Sequence, residues 1–237
     1  MKPSNPHPYF GTIQPQVHAT QRTPSEELRR AWLLFTLPLL LNGFYNPVLA
    51  SMPALFWTIE ILTWAVLPMW LCRNLVRTRS IDLSVIFAFQ NPRRILGLAA
   101  TMTFVLFSIC RSADWLSEQL LPDYLCHRLF SWYYTDTMPE GGFSRLLVAC
   151  YYSISAGLWE ELFFRAIPYS LFPRRGMYIL CTSLLFALMH FEQNLKGLIT
   201  VFLFAVAASL FYARFRLIIP LIFAHFSVDF LFFYFDI

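Results

Sequence analysis

Gly157-Leu158-Trp159-Glu160-Glu161-Leu162-Phe163-Phe164-Arg165 sets two adjacent carboxylates and an arginine inside an otherwise apolar run. The residues before it, Leu146 to Leu158, carry no charge, and Ala166-Ile167-Pro168-Tyr169 follows it. A carboxylate at the centre of a bilayer helix costs roughly 2.5–3.5 kcal/mol on insertion scales. Two side by side point to a buried functional site more than to a solvated charge pair at a membrane surface. On a helix Glu161 and Arg165 are four apart and share a face, so they can pair. Glu160 lies about 100° further round and is left for another role.

The rest of the chain suits such a setting. Its 237 residues are 57% hydrophobic, 18% aromatic and 14% charged, with a mean hydropathy of +0.53. A soluble domain carries about 25% charged residues, so the composition predicts an all-α, polytopic membrane bundle. At about 20 residues per span the chain accommodates about seven transmembrane helices. The net charge of +4 comes from loop arginines, without a basic run interleaved with aromatics, so nucleic acid is not expected as a partner. The cysteines, Cys72, Cys110, Cys126, Cys150 and Cys181, form no C-x-x-C pair and no zinc-type spacing. Most sit in apolar runs as small core residues, while Cys126 lies in a polar loop.

Residues 1–30 read as a polar, proline-bearing tail and not as a cleavable signal, since the first apolar run begins too late. Thr23-Pro24-Ser25-Glu26 resembles a capping box leading into the first span. Spans are expected at about residues 31–50, 53–72, 95–111, 143–172, 177–191, 196–213 and 217–235. Residues 31–142 thus hold the N-terminal transmembrane helices with their interfacial segments, and residues 143–237 a helical core. The apolar piece from Ile81 to Phe89 is too short to span and reads as interfacial. Residues 112–142 read as a long connection with one short amphipathic helix through Trp115, Leu116 and Leu120; its aromatics suit the headgroup level. With the N-terminus in the cytoplasm, 13 of the 18 Lys and Arg residues fall inside, which predicts that orientation. They are Lys2, Arg22, Arg29, Arg30, Arg73, Arg77, Arg79, Arg93, Arg94, Arg174, Arg175, Arg214 and Arg216.

Three further polar residues stand out. His190 ends Phe186-Ala187-Leu188-Met189-His190, and His225 and Asp229 are four apart in the last span. Counted from the cytoplasmic ends, Glu160, His190, His225 and Asp229 lie roughly 18, 20, 12 and 18 Å deep. Polar groups in hydrocarbon seek one another or a water-filled cavity, so a shared site is expected. The plainer alternatives are a membrane-edge histidine at 190 and a helix-packing hydrogen bond between 225 and 229. Glu60, mid-span without a motif, reads as a structural or supporting group. A carboxylate beside an imidazole can activate water, and a second imidazole can donate to a developing oxyanion. These are the parts for peptide hydrolysis by an activated water. Asp229, if ionised, cannot donate to an oxyanion and would instead orient His225.

Taken together, Glu160-Glu161-x-x-x-Arg165, Phe186-x-x-x-His190 and His225-x-x-x-Asp229 resemble the CPBP (CAAX protease and bacteriocin-processing, or ABI) intramembrane proteases, across about residues 143–237. The resemblance implies a glutamate-dependent, metal-independent endopeptidase with its site in the bilayer. It implies that Glu160 and His190 activate the water, that Glu161 and Arg165 hold the first helix, and that His225 with residue 229 stabilises the oxyanion. The family often carries Asn at that last position. No cofactor and no metal are implied, and the partners are the lipid bilayer and a membrane-associated peptide or protein. Family substrates include CAAX-type C-termini and, in bacteria, sorting tails. The competing readings are a zinc version using Glu160, His190 and His225, a non-catalytic scaffold or bacteriocin-immunity protein, and a proton-coupled transporter, which would call for inverted repeats that the sequence lacks.

Overall fold

The computed structural model describes residues 26–41, 44, 48–49, 51–88, 91–122, 125 and 137–235. Residues 1–25 of the expected tail, most of the capping box, Cys126 and the aromatics Trp132, Tyr133 and Tyr134 lie outside these residues, while 26–30, the end of that tail, are the start of the first helix. The described residues are helical, without a strand. Helix α1 is Glu26–Leu40, α2 is Pro53–Arg77, α3 is Leu83–Ile86 and α4 is Pro92–Leu120. Helix α5 covers residues 142–169, α6 is Arg175–Leu188, α7 is Asn194–Phe215 and α8 is Ile218–Phe235.

Local chemistry explains the helix starts. Pro53 and Pro92 sit in the first turns of α2 and α4, where a missing N–H costs nothing. Asn91 caps α4 by accepting from the Arg93 amide at 3.0 Å. Asp82 caps the short interfacial α3 through the Ser84 hydroxyl and amide, and these two donors hold its carboxyl below the usual range. Helix α5 begins at Gly142 with φ +67°, a backbone conformation that glycine takes without strain.

Length and composition mark four helices as able to cross a membrane: Pro53–Arg77, Pro92–Leu120, Phe191–Phe215 and Ile218–Phe235. The sequence pattern counts seven. Helices α1 and α6 have 15 and 14 residues, short of the ~20 a span needs, and α5 carries Arg145, Glu160, Glu161 and Arg165. Exposed Leu33, Leu37, Phe104, Leu184, Leu210 and Phe223 leave large apolar faces outward, as lipid requires. The chain is an integral membrane protein.

The segment after residue 111 departs from the expected connection. Helix α4 runs unbroken to Leu120, and the amphipathic piece is its last turns. No Gly or Pro interrupts Arg111 to Leu120, and its acidic residues find partners on α7. Asp114 accepts from the Thr200 hydroxyl at 2.6 Å, and Glu118 pairs with Lys196.

Two stretches widen into π-helical turns, Leu62–Val66 in α2 and Leu162–Ala166 in α5. Each ends two residues before a proline, Pro68 and Pro168. A proline ring inside a helix loses an N–H and collides with the carbonyl four residues back, and a wider turn relieves that collision. In α5 a second π turn, Ala156–Glu160, directly precedes Glu161, so Glu160 sits in widened helix and Glu161 between the two widened turns. Helix α8 packs against α4 and α5. At Gly157 an added Cβ would lie 3.0 Å from the Ile222 carbonyl oxygen and 3.1 Å from the Phe226 nitrogen. Gly157 therefore sets how closely α5 and α8 approach. Gly157→Val is expected to cost roughly 1–3 kcal/mol, seen as a lower thermal midpoint in detergent. Gly176→Ala, where a Cβ meets nothing within 4 Å, is the control.

Candidate active site

His225 is the centre of the polar cluster. It projects from the middle of α8 and is 4% exposed. Three carboxylates surround its ring. Nδ1 lies 2.8 Å from Glu161 Oε1, while Nε2 lies 3.6 Å from Glu160 Oε2 and 3.5 Å from Asp229 Oδ2. A carboxylate only accepts when ionised, so Nδ1 carries the proton it gives to Glu161. Phe204 and Phe186 pack on the ring with centroids 4.8 and 6.2 Å away. The nearest carboxylate to His225 is therefore Glu161 on α5, closer than Asp229 on its own helix.

Behind Glu161 stands Arg165, fully buried, with Nε 3.5 Å from Glu161 Oε2. Its guanidinium also lies over the Phe186 ring, 4.4 Å from the centroid, a cation–π contact in a dry setting. Tyr178 donates its hydroxyl to the Arg165 carbonyl oxygen at 3.3 Å, tying α6 to this part of α5. Phe163 stacks on Phe35 of α1 at 4.1 Å. The Glu161–Arg165 pair is thus embedded in packed core.

His190 follows α6 in a turn, with Nδ1 2.9 Å from the Phe186 carbonyl oxygen. A carbonyl only accepts, so this bond places the proton on Nδ1 and leaves the Nε2 lone pair free. A cavity of about 570 Å³ brings the remaining parts together. Glu160, His190, His225 and Asp229 all line it, whereas Glu161 and Arg165 do not. The cavity separates groups that meet a ligand from groups that stand behind them.

Three more carboxylates, Glu60, Asp114 and Glu192, line the same space. Glu60 on α2 is buried, and its backbone carbonyl accepts from the Tyr151 hydroxyl at 3.5 Å. Glu192, 3% exposed, follows His190 in the 3₁₀ turn Phe191–Gln193, and its Oε2 has no hydrogen-bond partner among the described residues. Sequence reasoning passed over Glu192 because a carboxylate next to a helix-end histidine reads as solvated. Among the described residues, no group of three or more His, Cys, Asp and Glu side chains is placed to hold a metal ion.

Residues 142–231 match the family model described as Type II CAAX prenyl endopeptidase Rce1-like. This part of the chain is a CPBP-family domain. Neither a curated protein nor a solved structure matches the chain significantly. The match implies a protease. Every residue of the three motifs, from Glu160 to Asp229, falls within the CPBP domain. Helices α1, α2 and α4 lie before it, yet they supply Leu39, Glu60, Trp64, Cys110 and Asp114 to the cavity wall.

Proposed function

We propose that the CPBP domain is a glutamate-dependent intramembrane endopeptidase. It hydrolyses a peptide bond in a membrane-associated protein or peptide, by CAAX-type or sorting-tail-type processing near a terminus. The single observation that carries this reading is the convergence of Glu160, His190, His225 and Asp229 on one cavity, with Glu161 holding the far side of the His225 ring.

The chemistry follows from the donors and acceptors available. Water lodged between the Glu160 carboxylate and His190 Nε2 gives its proton to Glu160 as its oxygen attacks the scissile carbonyl carbon. General-base assistance of this kind is worth about 10²–10⁴-fold. The carbonyl oxygen becomes an oxyanion and accepts a hydrogen bond from His225 Nε2–H, with the ring in its doubly protonated form. Glu161 on Nδ1 fixes the ring plane, and the carboxylates around the ring stabilise its positive charge. An ionised Asp229 donates nothing to the oxyanion, so its work is to hold Nε2 from one side. The proton taken by Glu160 then passes to the leaving amine nitrogen as the C–N bond breaks. Arg165 touches no reacting atom; it neutralises Glu161, which positions His225.

Processing in native membranes tests the reading. Wild type, Glu160→Ala and His225→Ala are compared by mass spectrometry of small membrane-associated proteins, with and without a chelator. Both variants are expected to leave the same species uncut, and the chelator to leave wild-type cleavage unchanged. Variants that fold and still cleave would make the cluster structural, and a chelator that stops cleavage would bring in a metal.

A further inference from the structure

The cavity has a direction. At one end of the bundle Tyr169 packs against Tyr178 and Tyr212 at 5.0 and 5.9 Å, and Arg216 lies over the Tyr169 ring. At the other end Lys196 pairs with Glu118, and Arg145 donates to the Phe233 carbonyl oxygen at 3.1 Å. No residue between 161 and 185, or between 205 and 224, lines the cavity. On the Tyr169 side of the glutamates the bundle is solid: Leu162, Phe163, Tyr178, Ile218 and Leu221 are at most 1% exposed. Glu160, Phe186, Phe204 and His225 form the floor, and the wall rises to Arg111, Asp114, Glu192 and Lys196. Among the described residues, the lining extends from the glutamates toward the Lys196 end and not toward Tyr169.

Charge tells the two ends apart. Apart from buried Arg165, eleven described arginines lie toward the Tyr169 end, against Arg111, Arg145 and Lys196 toward the other. Cytoplasmic faces carry the excess of Lys and Arg, so the closed end is the cytoplasmic one.

We propose that the cavity takes its substrate from the arginine-poor, extracytoplasmic face, so that the cleaved bond belongs to a polypeptide segment presented outside the cytoplasm. This rests on the protease reading above and specifies its substrate class. A cytosolic C-terminal tail approaching from the arginine-rich face meets packed core. From Phe235, the outer end of α8, His225 is ten residues away, about 15 Å at ~1.5 Å per residue. An extended segment covers that depth in about five residues at ~3.3 Å each. The substrate is therefore unfolded next to the membrane and enters by a terminus or a loosely held juxtamembrane strand.

Sided labelling decides it. Leu195→Cys, exposed beside Lys196, marks the open end, and Gly176→Cys, with free space around its Cβ, marks the closed end. Right-side-out vesicles are treated with a membrane-impermeant maleimide, with wild type as background. The first variant is expected to label in intact vesicles and the second only after permeabilisation. In a further arm, a charged methanethiosulfonate added outside is expected to modify Val201→Cys in the cavity wall and to block processing. Reversed labelling, equal labelling of both ends, or protection of Val201→Cys from the external reagent overturns the inference and leaves the protease reading untouched. The labelling needs no turnover, so it is read independently of whether Glu160→Gln stops cleavage. Processing that survives both Glu160→Ala and His225→Ala overturns the protease reading, and the substrate assignment with it.

Discussion

Glu160→Gln is expected to lower peptide-bond cleavage by about 10²–10⁴-fold, the span that general-base assistance covers, while leaving the thermal midpoint in detergent near that of wild type. The amide keeps the shape of the carboxyl and can still reach toward His225 Nε2, now 3.6 Å away. What it loses is the capacity to take a proton from water. Stability should hardly suffer, because Glu160 faces the cavity and lacks the arginine partner that Glu161 has. Glu161→Gln provides the contrast. It weakens the 2.8 Å contact that fixes the His225 ring and leaves Arg165 without its carboxylate, so activity and midpoint should fall together. A single-turnover rate measured alongside thermal unfolding separates the two. If Glu160→Gln cleaves within about tenfold of wild type, too little for a lost general base, the water is activated elsewhere and Glu160 is a bystander.

The difference between those two glutamates marks where reading the sequence stops. Adjacent carboxylates in an uncharged run are conspicuous at once, since hydrocarbon tolerates them only for a purpose. His225 and Asp229 were visible through their four-residue spacing, and His190 through its place at the end of an apolar run. Which side of the imidazole each carboxylate approaches is set by how α5 crosses α8, and Gly157 allows that crossing to be close. Composition carries no trace of it. The π turn just after the glutamates left one sign, Pro168 two residues beyond it, which reads equally well as a kink.

The all-helical membrane fold was legible because 57% hydrophobic content leaves little else. The course of α4 was not. Asp114 and Glu118 read as a loop because their partners Thr200 and Lys196 lie more than seventy residues away. Glu192 was hidden for a related reason: its burial comes from the surrounding helices, and its neighbours Phe191 and Gln193 say nothing about it. Local pattern finds residues that are anomalous where they stand. It does not find residues that become so only when the chain folds back on itself.

Arg165→Met is expected to destabilise the protein by about 3–5 kcal/mol, the usual cost of removing one partner from a buried ion pair. The arginine is fully buried and the Glu161 side chain is 1% exposed. Without the guanidinium, the Glu161 carboxylate would face only His225 in a packed interior, and an uncompensated buried charge is what makes such deletions costly. Methionine keeps much of the volume over Phe186 but not the cation–π contact, which adds to the loss. The Glu161→Gln/Arg165→Met double variant removes both charges and should recover a substantial part of the lost stability, because neutral replacements of a buried pair are often tolerated. Activity should not recover with it, since the double variant still lacks the carboxylate that fixes the His225 ring. Thermal midpoints of the four proteins in one detergent form the cycle that measures this coupling. If the two single losses simply add, Glu161 and Arg165 act independently, and the arginine belongs to the packing of α5 and not to the positioning of His225. If stability recovers while cleavage stays absent, the pair is a positioning device whose cost in stability the domain tolerates for its chemistry.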